Sequence, residues 1–284
     1  MIVSGSIDEV RKVRKQDKDL TWGFVPTMGY LHDGHLSLVQ RARNENDRVA
    51  ASIYVNPTQF APGEDLDSYP RAVDRDLDLL KAEGVDLVFT PVDRMMYPPG
   101  FQTYVTVTEI TKLLEGSSRP SHFQGVTTIV AKLFNVIQPS RAYFGQKDAQ
   151  QAIVLKRMVI DLNFDIELII CPIIREANGL AQSSRNKYLS AEQRDRATVL
   201  NKALLQAKSA YLSGEKNGEK LRQIMRSMIE QENLATLDYV SVADPQTLIE
   251  LDQIASEALL SMAVFFGKTR LIDNLLVGSK TTGS

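Results

Sequence analysis

The chain has 284 residues, 43% hydrophobic and 24% charged, an ordinary globular composition that excludes collagen-like, low-complexity and disordered classes and predicts one large domain or two unequal ones. Thirty-three Lys and Arg against 35 Asp and Glu leave a net charge of −2, without the basic excess that binding a nucleic-acid backbone requires, so no nucleic-acid partner is expected. The single Cys, Cys171, sits among Ile169, Ile170, Pro172 and Ile173 and reads as a buried hydrophobe in a reducing compartment; with no signal-like or membrane-spanning apolar run, a cytoplasmic protein is expected.

An N-terminal helix carries Ile7, Val10 and Val13 on its buried side and Arg11, Lys12, Arg14, Lys15 and Lys18 on its solvated face. Strand-like and helix-like segments then alternate, the pattern of parallel strands joined by crossover helices. Strands are predicted at 22–25, 49–55, 86–89, 142–144 and 166–170, and helices at 36–43, 71–83, 126–137 and 149–162. The acidic run Asp74, Asp76 and Asp78 lacks the glycine and terminal glutamate of a calcium loop and reads as solvated helix surface. Beyond residue 174 the composition shifts to charge-rich helices at 191–212 and 219–232 and strands at 239–243, 263–266 and 271–273. The fold class is therefore α/β, with a parallel-sheet domain over 1–174 and a smaller α+β domain over 175–284. The small, polar tail 278–284 is expected to be disordered.

Chemistry concentrates in four segments. Pro26-Thr27-Met28-Gly29-Tyr30-Leu31-His32-Asp33-Gly34-His35 runs from the end of the first of these strands into a helix and holds two of the three His. A helix N-terminus offers unpaired N–H groups and a positive dipole end, and two imidazoles three apart lie on one side of its first turn, which makes a phosphate cradle. The alternative is a plain capping turn. Gly29 and Gly34 imitate Walker A spacing, but His35 and Leu36 stand where Lys and Ser or Thr are needed. The second segment, Gly179-Leu180-Ala181-Gln182-Ser183-Ser184-Arg185-Asn186, offers hydroxyls, a guanidinium and an amide to phosphate oxygens, or is a polar linker. In the third, Gly145-Gln146-Lys147-Asp148 opens a helix, where Lys147 opposes the dipole unless it faces an anion and Asp148 is either an N-cap or a ligand contact. In the fourth, Asn56 and Gln59 in Val55-Asn56-Pro57-Thr58-Gln59-Phe60 present amides at a strand's carboxyl end. His122, before an apolar helix, is either a turn residue or a substrate-side group.

Together the His32/His35 pair and Ser183 to Asn186 resemble the HIGH and KMSKS-type signatures of class I aminoacyl-tRNA-synthetase-like nucleotidyltransferases. With Tyr54 to Phe60, Tyr69-Pro70-Arg71, Leu114-Glu115-Gly116, Arg119 to Val126, Phe144 to Gln151 and Arg270-Leu271-Ile272-Asp273-Asn274, the resemblance narrows to the pantothenate synthetase (pantoate–β-alanine ligase) family. It implies a Rossmann-like domain, ATP and Mg²⁺, pantoate and β-alanine as the other substrates, and a homodimer. The implied reaction has two steps: pantoate attacks the α-phosphate of ATP, giving pantoyl adenylate and pyrophosphate, and β-alanine then displaces AMP.

Carried over by position, the resemblance places ATP at Met28, Gly29, Tyr30, Leu31, His32, Asp33, Gly34 and His35, at Gly145, Gln146, Lys147 and Asp148, and at Ile174, Gln182, Ser183, Ser184 and Arg185. It gives pantoate to Gln59 and Gln151 with Asn56 close by, and the catalytic roles to His35, His32, Lys147 and Arg185. The chain departs from the family's usual residues at Gln182, Gln146, Ala149, Thr58, Ser121 and Gln124, none of which carries the chemistry. An adenylyltransferase for another acid would lack the Asn56, Gln59 and Gln151 amides, and a non-catalytic nucleotide sensor would lose one of His32, His35, Lys147 or Arg185; all are present.

Overall fold

The structure, a computed structural model, describes residues 1–278; from residue 279 on, the tail expected to be disordered lies outside the described residues. The chain forms two compact units, Met1–Gln146 with Val154–Pro172, and Lys147–Ile153 with the chain from Ile173 onward. Residues 147–153, placed by the sequence in a continuous first domain, thus group with the second unit.

The first unit contains β1 (Ile2–Ser4), α1 (Ile7–Gln16), β2 (Trp22–Thr27), α2 (Asp33–Glu45), β3 (Arg48–Ile53), α3 (Val73–Ala82), β4 (Leu87–Phe89), α4 (Asp93–Met96), α5 (Glu115–Ser118), α6 (His122–Ile137), β5 (Arg141–Gly145), most of α7 (Ala149–Asp161) and β6 (Glu167–Cys171). Its six strands lie in the order β1-β4-β3-β2-β5-β6, every pair parallel. Parallel sheets are covered on both faces, so their strands read as near-continuous apolar runs, and successive side chains alternate between two cores. Phe24, Ala50, Leu87 and Phe89 face a cluster with Phe134, Ile137 and Leu155. Val25, Val49, Ala51 and Val88 face another with Leu38, Val39, Leu80 and Tyr143. β1 went unpredicted because three residues, two of them exposed, show no periodicity; pairing with β4 makes it an edge strand.

From β2 the chain steps outward through β3 to β4, then returns to place β5 on β2's other side, pairing Gly23 with Arg141 and Phe24 with Ala142. Open α/β sheets bind ligands beyond the carboxyl ends of strands at such a reversal. The segment after β2, Met28 to His32, emerges there.

A helix-face expectation fails at the first helix of this unit. Arg14 is buried rather than solvated, because its guanidinium donates from Nε to the Ile137 carbonyl at 2.7 Å and from Nη2 to that of Gln138 at 2.9 Å, at the end of α6, while lying 4.7 Å from the Trp22 ring centroid. Terminal carbonyls of a helix lack intrahelical partners, and a cation satisfies both their hydrogen bonding and their negative dipole end.

The second unit holds α8 (Ala191–Arg196), α9 (Val199–Leu212), α10 (Gly218–Glu230), β7 (Ala235–Ala243), β8 (Ala258–Phe266) and β9 (Thr269–Val277), the strands antiparallel in the order β7-β8-β9. Leu200, Leu204, Leu221, Met225, Val242, Leu260, Met262 and Phe266 form its core. The single helix expected over 191–212 is interrupted where the Thr198 hydroxyl donates to the Asp195 carbonyl at 2.8 Å, the competition with the helical ladder that Ser and Thr side chains offer.

Candidate active site

His32 is the N-cap of α2, in extended conformation (φ −140°, ψ 173°), and its ring accepts the Gly34 N–H at Nδ1, 3.1 Å away. His35 in the third helical position returns the bond, its Nδ1 accepting the His32 N–H at 3.4 Å. Two imidazoles thus replace the hydroxyl and carboxylate of the usual capping box. The ring centroids are 4.1 Å apart and tilted by 41°. Because each Nδ1 is an acceptor, each neutral ring carries its hydrogen on Nε2. Of the two readings open in the sequence, the structure shows the capping turn, and capping places the hydrogen of each neutral ring on Nε2.

The segment ahead of the cap is anchored by a residue the sequence reading placed on the surface. Asp76 is fully buried; its Oδ2 accepts the Tyr30 N–H at 2.6 Å and its Oδ1 the Leu31 N–H at 2.8 Å. Arg75 beside it donates to the Leu31 carbonyl at 3.0 Å. Position 76 lies one turn before the buried Leu80, on the same side of the helix. Gly29 takes φ +84°, and a Cβ there would lie 3.1 Å from both Asp76 Oδ2 and Ile53 Cγ2, so this turn needs a glycine.

At the end of β3, Asn56 is fully buried. Its Nδ2 donates to Gln59 Oε1 and to the Gly125 carbonyl, each at 3.1 Å, and its Oδ1 accepts from Tyr97 at 2.7 Å and from Thr58 at 3.0 Å. Both ends of the Asn56 amide are thus used within the protein, and they orient Gln59: with Oε1 engaged, Nε2 points toward Met28, 3.0 Å from its sulfur. Met28, Asn56 and Gln59 are brought together as one group. Burial raises the pKa of Tyr97 above its ordinary value. Gly125 is required at the start of α6, where a Cβ would lie 2.7 Å from the Gln59 nitrogen.

His122 bonds through Nδ1 to the Gln59 carbonyl at 2.8 Å, and Arg119 donates to the same oxygen at 3.3 Å. Burial first, and the Arg119 charge second, push the imidazole pKa down to about 4. A neutral ring donates its Nδ1–H to that carbonyl, so the structure favours the turn reading of His122. Arg119 also donates to both Glu64 oxygens at 2.5 and 2.6 Å. Burial alone would raise the Glu64 pKa; these bonds and the Arg119 charge lower it overall.

The second unit carries the other candidates. Lys147 Nζ lies 3.6 Å from Asp148 Oδ1, and the Lys147 carbonyl accepts from Asn274 Nδ2 at 2.9 Å. Gln151 is half-buried in the first turn of α7. The segment from Ile174 to Asn186 turns at Gly179 and returns, the Gln182 N–H reaching the Ile174 carbonyl at 2.9 Å. Ser183 caps a short 3-10 turn over Ser184–Tyr188, its hydroxyl accepting the Arg185 N–H at 3.2 Å. Arg175 braces the hairpin by donating to the Gly179 carbonyl at 3.1 Å and to both oxygens of Asp273 at 2.6 and 2.9 Å. Asp273 and Asn274, neighbours on β9 and both buried, therefore tie the hairpin and the Lys147 segment to one strand. Sequence reasoning quoted both residues without giving either a role. Gly145 and Gln146 remain with the first unit, at the end of β5.

Fold and site together define an α/β nucleotide-handling protein, with an imidazole-capped helix at the reversal point of its sheet. The sequence profile described as Pantoate-beta-alanine ligase matches residues 3–276. A Chloroflexus aggregans protein named pantothenate synthetase is 57% identical over 278 residues, 98% of this chain and all of that one; one from Roseiflexus castenholzii is 56% identical over 98% of this chain and 99% of its own. The crystal structure of pantothenate synthetase from Thermus thermophilus superposes with TM-score 0.92 at 46% identity, covering 97% of this chain and 99% of that one. Pantoate-beta-alanine ligase from Francisella tularensis, complexed with beta-gamma ATP and beta-alanine, gives 0.79 at 35% identity and 97% of each chain. The chain belongs to the pantoate–β-alanine ligase family, and is an enzyme of that class.

Proposed function

We propose that the chain joins pantoate to β-alanine through a pantoyl adenylate, with its residues in the following roles. In the first step an anionic carboxylate approaches an anionic phosphate, so catalysis consists of positioning and of donors aimed at growing charge. His32 and His35 donate from Nε2 to the α-phosphate, assisted by the N-terminal dipole of α2. The observation that carries this reading is the reciprocal cap, which commits both Nδ1 atoms to backbone N–H groups. Lys147, Ser183, Ser184 and Arg185 are assigned the β- and γ-phosphates and the departing pyrophosphate, with Met28 to His35, Gly145, Gln146, Asp148, Ile174 and Gln182 completing the ATP contacts. Gln59 and Gln151 receive pantoate. Gln59 offers an amide donor, suited to a carboxylate or hydroxyl, and Asn56 acts by setting that polarity.

Mg²⁺ would come with ATP and supply charge neutralisation to the phosphates that Lys147, Ser183, Ser184 and Arg185 would hold. Among the described residues no three His, Cys, Asp or Glu side chains gather into a group that could hold a metal ion. No helix among the described residues is long and apolar enough to cross a membrane; a cytoplasmic homodimer acting on small molecules is the setting proposed.

The test is pyrophosphate release from MgATP with pantoate alone, followed by AMP and amide formation on adding β-alanine, with glycine and a panel of proteinogenic amino acids as controls. Release with pantoate, and amide product only with β-alanine, supports both half-reactions. Release with a different acid only would overturn the pantoate assignment, and tight ATP binding without turnover would favour a sensor.

A further inference from the structure

We propose that Asp76 is a positioning residue for adenylate formation, its buried carboxylate setting the place of the imidazole pair by gripping the two backbone amides that lead into it. The proposal rests on the reading of His32 and His35 above. Asp76 lies on α3, 44 positions beyond the His32 cap, yet both its oxygens bond to Tyr30 and Leu31, immediately before that cap. Tyr30 is held at φ +52°, a left-handed conformation that is costly for a bulky side chain and persists only where its surroundings impose it. The imposing contacts are visible: the carboxylate takes the Tyr30 amide, Arg75 takes the Leu31 carbonyl at 3.0 Å, and the Arg75 guanidinium stands 5.7 Å from the Tyr30 ring centroid.

A negative charge close behind an anion-binding turn opposes the ligand electrostatically, so its place there calls for a compensating gain. That gain is geometric. With the Tyr30 and Leu31 amides claimed by Asp76 and the Gly34 amide by the His32 ring, anion donation falls to the two Nε2 atoms, whose positions follow from the conformation of residues 29–31. Displacing a reacting constellation by about 1 Å costs roughly 100-fold in rate.

The experiment uses the full chain and pantoate-dependent pyrophosphate release. Asp76→Asn keeps the size but sets an NH2 group against one of the two amides; kcat is expected to fall roughly 100-fold while the KM for pantoate, which rests on Gln59, stays within about twofold. Adding Tyr30→Gly to that variant removes the left-handed cost and is expected to recover about tenfold in kcat. A merely structural role predicts a lower unfolding midpoint, no change in kcat for the folded fraction and no rescue. If Asp76→Asn does not fold, Arg75→Met tests the same grip from its half-exposed side, with an expected fall in kcat of about tenfold at unchanged KM. Unaltered kcat in folded Asp76→Asn, or in Arg75→Met where the first cannot be isolated, overturns the proposal alone. Absence of pyrophosphate release by the unaltered chain overturns the functional reading and the proposal with it.

Discussion

The two candidate phosphate-binding segments, Met28 to His35 in the first unit and Ile174 to Asn186 in the second, are held by clamps of opposite sign. In the first, the buried carboxylate of Asp76 takes backbone N–H groups; in the second, the Arg175 guanidinium takes a backbone carbonyl and is itself fixed by the buried carboxylate of Asp273. The helix behind the first is α2, 13 residues long; behind the second is a single 3-10 turn of five. A long helix contributes an aligned dipole and a row of N–H groups, whereas a 3-10 turn contributes little of either. The first segment is therefore suited to stabilising charge at one fixed point. The second must rely on its side chains, Ser183, Ser184 and Arg185, and on a hairpin whose braces run to β9.

That difference separates chemistry from stability in variants. His35→Ala is expected to lower pantoate-dependent pyrophosphate release by about 1,000-fold, the scale of losing a preorganised donor, and to reduce stability by only about 1 kcal/mol through the broken cap; a melting curve run beside the assay checks both. Lys147→Ala is expected to cost a similar factor in rate with no stability change, because the tie to Asn274 uses the Lys147 carbonyl rather than its side chain. Arg175→Met reverses the pattern. It leaves Asp273, only 2% exposed, without its counter-charge and is expected to cost about 3 kcal/mol in urea unfolding. A melting point unchanged by Arg175→Met would dissolve the contrast between the segments.

Much of this was legible from local pattern. The alternation of apolar runs with amphipathic helices gave the parallel sheet, and Pro26 to His35 marked a strand's end running into a helix, because each signal lies within a dozen contiguous residues. What escaped depends on partners far apart in the chain. Asp76 looks like one acid in a solvated run until α3 is rolled so that Asp76 and Leu80 share its buried face, and the amides it meets are more than 40 positions away. Arg14 sits in a run of basic residues, and only the end of α6 draws it inward. Asn56 carried the right residue type for a ligand contact but is consumed by Gln59, Gly125, Thr58 and Tyr97. The grouping of residues 147–153 with the second unit has no local signature, since strand, turn and helix run on without a break in composition.

Tyr97→Phe sharpens the comparison at the substrate side. It removes the donor that reaches Asn56 Oδ1 at 2.7 Å while leaving Thr58 in place, a loss of about 1 kcal/mol. If Asn56 acts only by orienting Gln59, the KM for pantoate rises about fivefold at unchanged kcat; a fall in kcat at unchanged KM would place Asn56 in the chemistry instead.

A further effect expected is one of pH. His122 is neutral in the folded chain down to about pH 4, whereas in the unfolded chain it titrates near the ordinary value of about 6.5. Between those two values the unfolded chain binds a proton that the folded chain refuses, so this residue's contribution to stability is complete above about pH 6.5 and is lost as pH falls toward 4. The groups facing it are Arg119, Glu64, Glu115 and the Gln59 carbonyl; Glu64, held below its ordinary value, takes up protons toward the acid end of that window and below it. His122→Gln keeps a donor for the Gln59 carbonyl and removes the titration. The difference in unfolding free energy between the unaltered chain and this variant should therefore be flat from pH 8 to about 6.5 and should fall below it, by at most about 1.4 kcal/mol per pH unit. A difference that stays flat down to pH 4.5 would show that the folded imidazole takes up its proton as readily as the unfolded one.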